Sequence, residues 1–570
     1  VKILDWVMLF AWLISLVSYG LYRGRGSNTV SKYLLAGRNM PWYAMGLSIL
    51  ATQASAITFI STTGQGYVDG MRFVQFYFGL PIAMVLLCMT AVPIFHRAKV
   101  YTAYEYLEKR FDAKTRALVS GVFLIQRGLG AGVGMYAPAV VLSAVLGVSD
   151  RWITVLIGAL VVVYVTTGGI KALTWADVQQ MTMIFCALVL SLVVAIHSLP
   201  ANISLLDAVH VAGAANRINI IDTHFNLTNR YNVWSGLIGG GFLALAYFGC
   251  DQSQVQRYLT GRSVAQSRLS LIFNAVVKIP MQLFILFIGV VVFAVSLFVQ
   301  PPMIFHPVEA AKAQSTPNWT ATQQSYDAAF NERRTAALKL AGALRTQDKP
   351  AAELSDFRAA QSRFEQTRKA AQGIVANMDH LSSFDDTNYI FLHFIRTALP
   401  VGIIGLVVGV ILSASMGSTS GEINSLATVA LIDIYKRYIS KDATDGEYLL
   451  ASRLLTVFWA SFAVAFATLG ARGFGALIER VNIVGSLFYG GLLGVFILAF
   501  FFKTVKGTAA FCGVLAGEAA IFACAVFTDV SFLWYNVVGS VVVVITGLIL
   551  TAAKQRPAAN QPLRSRSHSQ

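Results

Sequence analysis

Residues 414–425 read Ala-Ser-Met-Gly-Ser-Thr-Ser-Gly-Glu-Ile-Asn-Ser, a run of small and hydroxylic side chains inside an apolar stretch. At helical spacing Ala414, Gly417, Ser418 and Gly421 share one face. Carbonyl and hydroxyl oxygens are what Na⁺ takes where an unwound helix lines a membrane cavity. The row therefore suits a Na⁺ cage of low formal charge. A close-packing face of small residues is the alternative; it accounts for the glycines and leaves the hydroxyls unexplained.

A second stretch offers the facing oxygens. Residues 46–70 are apolar enough to span a bilayer, yet their middle is Ala51-Thr52-Gln53-Ala54-Ser55-Ala56-Ile57-Thr58, with glycines at 64, 66 and 70. Such a composition fits a helix interrupted at mid-membrane, because unwound backbone survives there only where it lines a cavity or binds an ion. Close packing on neighbouring helices is again the other reading.

Ionisable residues inside apolar spans are costly and mark functional positions by default. Asp177 lies near the start of its span, where it serves either as an N-terminal helix acid or as an oxygen ligand for Na⁺. Arg127 and Lys278 lie too far from span ends to reach headgroups. Two buried cations need an anion, which Glu422 or a substrate carboxylate would supply.

The elements that position these residues follow from the composition. The chain has 570 residues, 56% hydrophobic and 13% charged, about half the charge of a soluble domain. It reads as an all-α polytopic membrane protein bound to the lipid bilayer. The net charge of +16 fits basic cytoplasmic loops and needs no nucleic acid. Residues 1–21 read as a first span and not as a cleaved signal. The five cysteines sit in apolar runs, which suggests neither disulfides nor a metal cluster.

Apolar runs of bilayer length fall near 2–22, 41–69, 73–95, 115–147, 152–168, 174–198, 234–253, 269–300, 390–433, 446–470, 474–502, 508–527 and 531–553, about 13 spans. The 115–147 and 390–433 runs are long enough to be tilted or broken. Lysines and arginines alternate between connections in a way that predicts an outside N-terminus and a cytoplasmic C-terminus, in a plasma (inner) membrane. Residues 301–389 interrupt the pattern with balanced charge. They predict an extracytoplasmic helical hairpin over 327–345 and 351–377, split at Lys349-Pro350 and shielding the outer mouth.

The division expected is 1–40 (an extra helix and basic loop), 41–198 (five helices), 199–233 (an outer loop), 234–502 (five more, carrying the insertion), 503–553 (further helices) and 554–570 (a basic tail). The first helix of the second set also reads as broken, through Gly239-Gly240-Gly241 and Tyr247-Phe248-Gly249-Cys250-Asp251-Gln252. Interrupted helices in corresponding positions of two halves point to a transporter site at the midplane. Nucleotide loops, dinucleotide fingerprints, metal-binding His pairs and nucleophile elbows are missing, so no enzyme activity and no catalytic residue is expected.

On specific motifs the chain resembles the sodium:solute symporter family over most of residues 1–553, outside the insertion. The motifs are Tyr33-Leu34-Leu35-Ala36-Gly37-Arg38, Tyr101-Thr102-Ala103-Tyr104-Glu105-Tyr106-Leu107-Glu108-Lys109-Arg110-Phe111 and Gly168-Gly169-Ile170-Lys171-Ala172-Leu173-Thr174-Trp175-Ala176-Asp177. Gln252-Ser253-Gln254-Val255-Gln256-Arg257-Tyr258 and the stretch from Asn424-Ser425 to Asp433-Ile434-Tyr435 complete the set. The resemblance implies a five-plus-five inverted-repeat fold and Na⁺-driven alternating access.

It also implies a main Na⁺ site from the carbonyls of Ala51, Ala54 and Ala414 and the Ser418 hydroxyl. Gly417 stands where the family usually has a further serine. Some members hold a second Na⁺ by an aspartate matching Asp177 and hydroxyls at the positions of Gly417, Ser420 and Gly421, of which Asp177 and Ser420 remain here. Tyr247 matches an aromatic that covers the substrate, Lys278 a polar residue on the next span, and Asn482 an amide late in the second repeat.

Sugar-transporting members carry Glu and Gln where this chain has Ile57 and Thr58. Ser55 and Thr58 with Arg127 instead resemble the carboxylate pocket of sialic acid and monocarboxylate members. Gln53 lies in the same broken segment, and Phe73, Gln75 and Phe76 would form the opposite wall. The small-molecule substrate expected is an organic anion, with a neutral sugar or polyol next. A non-coupled sensor or channel on the same fold is the competing class. If Ser418 ligates Na⁺, Ser418→Ala will raise the Na⁺ concentration for half-maximal uptake while the protein stays folded; an unchanged Na⁺ dependence removes that ligand.

Overall fold

A computed structural model of the protein describes residues 2–26, 28–146, 149–346, 350–380, 383–469 and 477–555. The basic tail expected over 554–570 therefore lies almost wholly outside the described residues, as does Lys349. No strand occurs among the described residues; one isolated bridge pairs Met40 with Gly261. Among the described residues ten helices are long and apolar enough to cross a membrane, and a bent pair makes up to 11. The protein is an integral membrane protein.

The elements around the centre are α1 (Ile3–Gly24), α2 (Trp42–Gln53), α3 (Ala56–Val68), α4 (Ala113–Leu146), α5 (Asp150–His197), α6 (Gly240–Gly249), α7 (Gln252–Leu259), α8 (Val264–Phe298), α9 (Trp319–Thr346), α10 (Ala351–Met378), α11 (Ile403–Val429) and α12 (Leu477–Phe501). The pair expected from the small, hydroxylic stretch is α2 and α3, bent by 62°. Ala54 and Ser55 leave helical geometry there, at ψ 62° and 173°. Thr58 Oγ1 donates to the Gln53 carbonyl at 2.8 Å, satisfying one acceptor that the break releases.

The second interruption falls between α6 and α7. Asp251 caps α7, accepting the Ser253 N–H at 2.9 Å. The glycine run before it serves close approach more than the break itself. A Cβ on Gly240 would run into the Phe76 carbonyl oxygen of the segment Gly70–Tyr77.

Residues 152–168 and 174–198 are two helical segments, as expected, that meet at Gly169, whose φ of +59° and ψ of −179° leave helical geometry and favour glycine; the label α5 covers both. One stretch read as a full span takes another form. Residues 234–253 form the shorter helix Ser235–Gly249, which starts with a π turn. The long 390–433 run is broken, as expected, into Thr387–Ala398 and α11. At that break Asp5 of α1 accepts the Gly402 N–H at 2.6 Å.

The insertion forms α9 and α10, two helices of 28 residues each, with a small core of its own around Tyr326, Phe330 and Phe364. It is fastened to the 199–233 connection: Arg345 pairs with Asp207 at 2.5 Å and Arg217 with Glu365 at 2.8 Å. The two segments expected on the same side of the membrane are thus in direct contact.

Inside the bundle α3 and α8 approach backbone to backbone. A Cβ on Gly66 would overlap the Leu286 carbonyl oxygen, and one on Gly289 the Thr63 carbonyl oxygen. Gly342, on an exposed face of α9, has nothing within 4 Å of such a Cβ. Gly289→Ala will therefore destabilise the protein by about 1–3 kcal/mol through overpacking. Gly342→Ala will be neutral or stabilising by up to ~1 kcal/mol. Thermal unfolding in detergent compares them; equal midpoints contradict the packing argument.

Candidate functional site

Both interruptions open on one central cavity of about 150 Å³. The α2–α3 break contributes Thr52, Gln53, Ser55 and Thr58, α4 contributes Arg127, and α6 contributes Tyr247. Lys278 comes from α8, Ser418 and Glu422 from α11, and Asn482 and Tyr489 from α12. Ten of the residues singled out from the sequence thus share one chamber: Gln53, Ser55, Thr58, Phe76, Arg127, Tyr247, Lys278, Ser418, Glu422 and Asn482.

Phe73 and Gln75 lie elsewhere. Gly70–Tyr77 is a 3₁₀ segment, so the side chains that face the cavity are Phe76 and Tyr77. Phe73 stacks on Phe76 at 5.7 Å and meets Tyr231 edge-on. Gln75 binds the loop, donating to the Tyr231 carbonyl at 3.0 Å and accepting the Asp222 N–H at 2.9 Å. Both residues brace the wall from behind.

Arg127 is already engaged. It pairs with Asp251, lies 2.9 Å from Glu422 and donates to the Tyr489 hydroxyl at 2.6 Å. Tyr489 in turn donates to Asp251 at 2.8 Å. The arginine is therefore a clamp between α4, α7, α11 and α12, and Asp251 and Tyr489 are the members that sequence reasoning missed. Asp251 did carry a signal, as an acid standing in a helix break.

Lys278 differs. It is buried at 1% exposure and lies over the Tyr77 ring at 5.2 Å. Among the described residues no carboxylate comes within ion-pair distance of it. Tyr247 meets Tyr489 at 6.0 Å and accepts a hydrogen bond from Gln254 at 2.7 Å. Gln53 reaches Asn274 at 3.4 Å.

Of the residues expected to ligate Na⁺ at the main site, Ser418 lines the chamber, while Ala51, Ala54 and Ala414 are not among its lining residues. Ala51, Ala54 and Ala414 are fully buried around the α2 terminus and α11. Ser418 donates its proton to the carbonyls of Ala414 at 3.2 Å and Ser415 at 3.1 Å. With the proton turned into its own helix, the hydroxyl oxygen keeps lone pairs for a cation in the chamber.

Asp177 and Ser420 are not part of that chamber. Asp177 sits 2.5 Å from the Arg257 guanidinium and accepts the Ser48 hydroxyl at 2.6 Å. Gly421 is what admits Arg257, since a Cβ there would overlap the guanidinium, and Gly417 likewise admits Gln180. Ser420 donates back to the Gly417 carbonyl at 2.9 Å. The acid expected as an ion ligand already has a tethered cation beside it.

The five motifs meet around α7. Gln252 donates to the Tyr101 carbonyl at 2.9 Å and accepts the Ala103 N–H at 3.0 Å. Gln256 donates to the Leu34 carbonyl at 2.7 Å and accepts from Asn424 at 3.4 Å, and Arg257 holds Asp177. Thr102 and Arg116 both bind Asp433.

Two interrupted helices facing a central chamber, locked by buried charge pairs, define a secondary transporter. The chain belongs to the sodium:solute symporter family, whose profile matches residues 33–324 and 374–517. It is 25% identical to the sodium/sialic acid symporter NanT of Aliivibrio fischeri over 96% of this chain and 92% of that one. It is also 25% identical to the sodium-coupled monocarboxylate transporter 1 of Xenopus laevis, over 90% and 71%. A solved structure, described as the substrate-bound outward-open state of a Na⁺-coupled sialic acid symporter, superposes with a TM-score of 0.73. It is 23% identical and covers 97% of this chain and 98% of that one. The fold is the five-plus-five inverted repeat.

The clamp makes Arg127 testable without substrate. Arg127→Gln will leave Asp251 and Glu422 buried without their cation and destabilise the empty protein by about 3–5 kcal/mol. Adding Asp251→Asn will restore part of that loss. A purely substrate-binding arginine would instead leave the unloaded thermal midpoint unchanged.

Proposed function

We propose that the protein couples Na⁺ entry to uptake of a small organic anion, and that Lys278 receives the anion. The observation that carries this reading is a buried lysine amine on the cavity wall with no carboxylate partner among the described residues, beside an arginine whose charge is already matched. Burying such a cation alone is costly, and a substrate carboxylate offsets that cost in the loaded state. Ser55, Asn482 and Tyr77 surround the same space with polar groups. The names of the sialic acid and monocarboxylate relatives support the same substrate class.

Size narrows the class. A chamber of about 150 Å³ accepts on the order of ten water-sized centres, which suits a monocarboxylate or small sugar acid in this conformation. The Na⁺ ion, as co-transported cargo, would lie among the carbonyls of Ala51, Ala54 and Ala414 and the Ser418 hydroxyl. Because Arg257 already neutralises Asp177, one Na⁺ per cycle is the stoichiometry proposed. The insertion and the N-terminus face the outside and the C-terminal end faces the cytoplasm of a plasma membrane.

Uptake into proteoliposomes tests the reading. With an inward Na⁺ gradient, pyruvate or N-acetylneuraminate will accumulate above equilibrium and glucose will not. Lys278→Gln will abolish the preference for the acid over its uncharged amide. Accumulation of glucose that Lys278→Gln leaves intact overturns the anion reading, and leak independent of Na⁺ overturns coupling.

A further inference from the structure

A second, more polar cavity of about 500 Å³ lies between the insertion and the end of α3. Arg217, Arg230, Arg333, Arg368 and Lys369 line it, against Asp69, Glu365 and Asp385. Arg217 is matched by Glu365 at 2.8 Å, and Arg368 by Asp386, just behind the wall, at 2.5 Å. Asp385 is occupied by the Thr387 hydroxyl and N–H.

Arg333 is the exceptional member. It is 1% exposed, and among the described residues it has no ion pair. Its guanidinium donates to the Ser296 carbonyl at 2.6 Å, reaches Gln361 at 3.5 Å and stacks 3.5 Å over Phe364, while Nε has no partner. Burial pushes its pKa down to about 10, so it stays charged at neutral pH. A buried, unmatched guanidinium on the wall of a roomy polar chamber is a receptor for an anion.

The two chambers lie along one face of α3. Thr58 lines the central cavity, and Gln65 and Asp69 line the second. With Thr62 between them, the spacing of 58, 62, 65 and 69 forms one polar stripe on α3 and beyond. From Thr58 to Gln65 the rise is about 10 Å. Gln282 of α8 donates to Thr62 at 3.1 Å and closes the interval. Arg333, Arg368 and Lys369 all fall within residues 325–373, which the family profile does not match.

We infer that the insertion builds an antechamber that binds the carboxylate of the solute before it reaches the central cavity. The inference rests on the anion reading only for the identity of that solute. Na⁺ belongs to the inner chamber, so binding here is independent of Na⁺.

Hydrogen–deuterium exchange on the full-length protein in choline buffer tests this, with pyruvate, N-acetylneuraminate, inorganic phosphate and glucose as probes. The carboxylates will slow exchange in α9 and α10, and glucose will not. The protection will persist in Lys278→Gln. It will need about fivefold more ligand in Lys369→Gln, the loss of one partly screened charge, and more still in Arg333→Gln. If Arg333→Gln does not fold, Lys369→Gln on the exposed rim decides the matter. Uptake by Lys369→Gln will show a raised KM at unchanged kcat.

Protection that vanishes in Lys278→Gln, or is unchanged in Lys369→Gln, overturns the antechamber. So does protection by phosphate that neither carboxylate displaces. Failure of anion symport itself would appear in proteoliposome uptake and leave the exchange pattern of α9 and α10 as a separate readout.

Discussion

A charge taken out of water inside a bilayer must find its opposite, and that requirement organises this molecule. Arg127 on α4 holds Asp251 and Glu422 and reaches Tyr489, so one guanidinium joins four helices from both halves of the chain. Arg257 does the same with Asp177 and Ser48. Asp251 and Arg257 stand at the two ends of one short segment, the cap and the body of α7. Removing a single partner from such a pair costs about 3–5 kcal/mol, so α7 shifts only together with its neighbours or by exchanging one ion pair for another. The substrate chamber and the motif-rich latch around Leu34, Tyr101 and Asn424 are therefore mechanically one object.

Close packing supplies the complementary rigidity. Where α3 meets α8 the backbones touch through Gly66 and Gly289, with no side chains between them to slide or repack. The half of the broken helix that carries Ser55 and Thr58 consequently moves as a body with the helix that carries Lys278. The flexible point is the break itself, where Ala54 and Ser55 leave helical geometry and Thr58 covers the released Gln53 carbonyl. Rearrangement between conformations is thereby concentrated at residues that line the central cavity.

Much of this was legible from the chain because composition carries it. A run of small and hydroxylic residues in an apolar span predicts an interruption, and α2 and α3 bend there. Pro350 ends one helical pattern and α10 begins at Ala351. The side chains that were misplaced failed for local reasons. Phe73 and Gln75 were set on the cavity wall together with Phe76; the 3₁₀ geometry of Gly70–Tyr77 leaves Phe76 there, adds Tyr77 and turns the other two away. The partners of Arg127 and Asp177 are 124 and 80 residues away in sequence. Local pattern cannot express a pairing at that separation; the glycine at 421 that makes room for Arg257 carries meaning only once the guanidinium is seen against it.

The matched pairs have an electrical consequence. Arg127, Arg257 and Lys278 carry three formal positive charges, and Asp177, Asp251 and Glu422 carry three negative ones. These six formal charges sum to zero, so the proposed cycle of one Na⁺ and one monoanion would carry no net charge. Moving one net charge through the membrane potential is worth about 2.3 kcal/mol per 100 mV; such a cycle would gain none of it and would draw on the Na⁺ concentration difference alone.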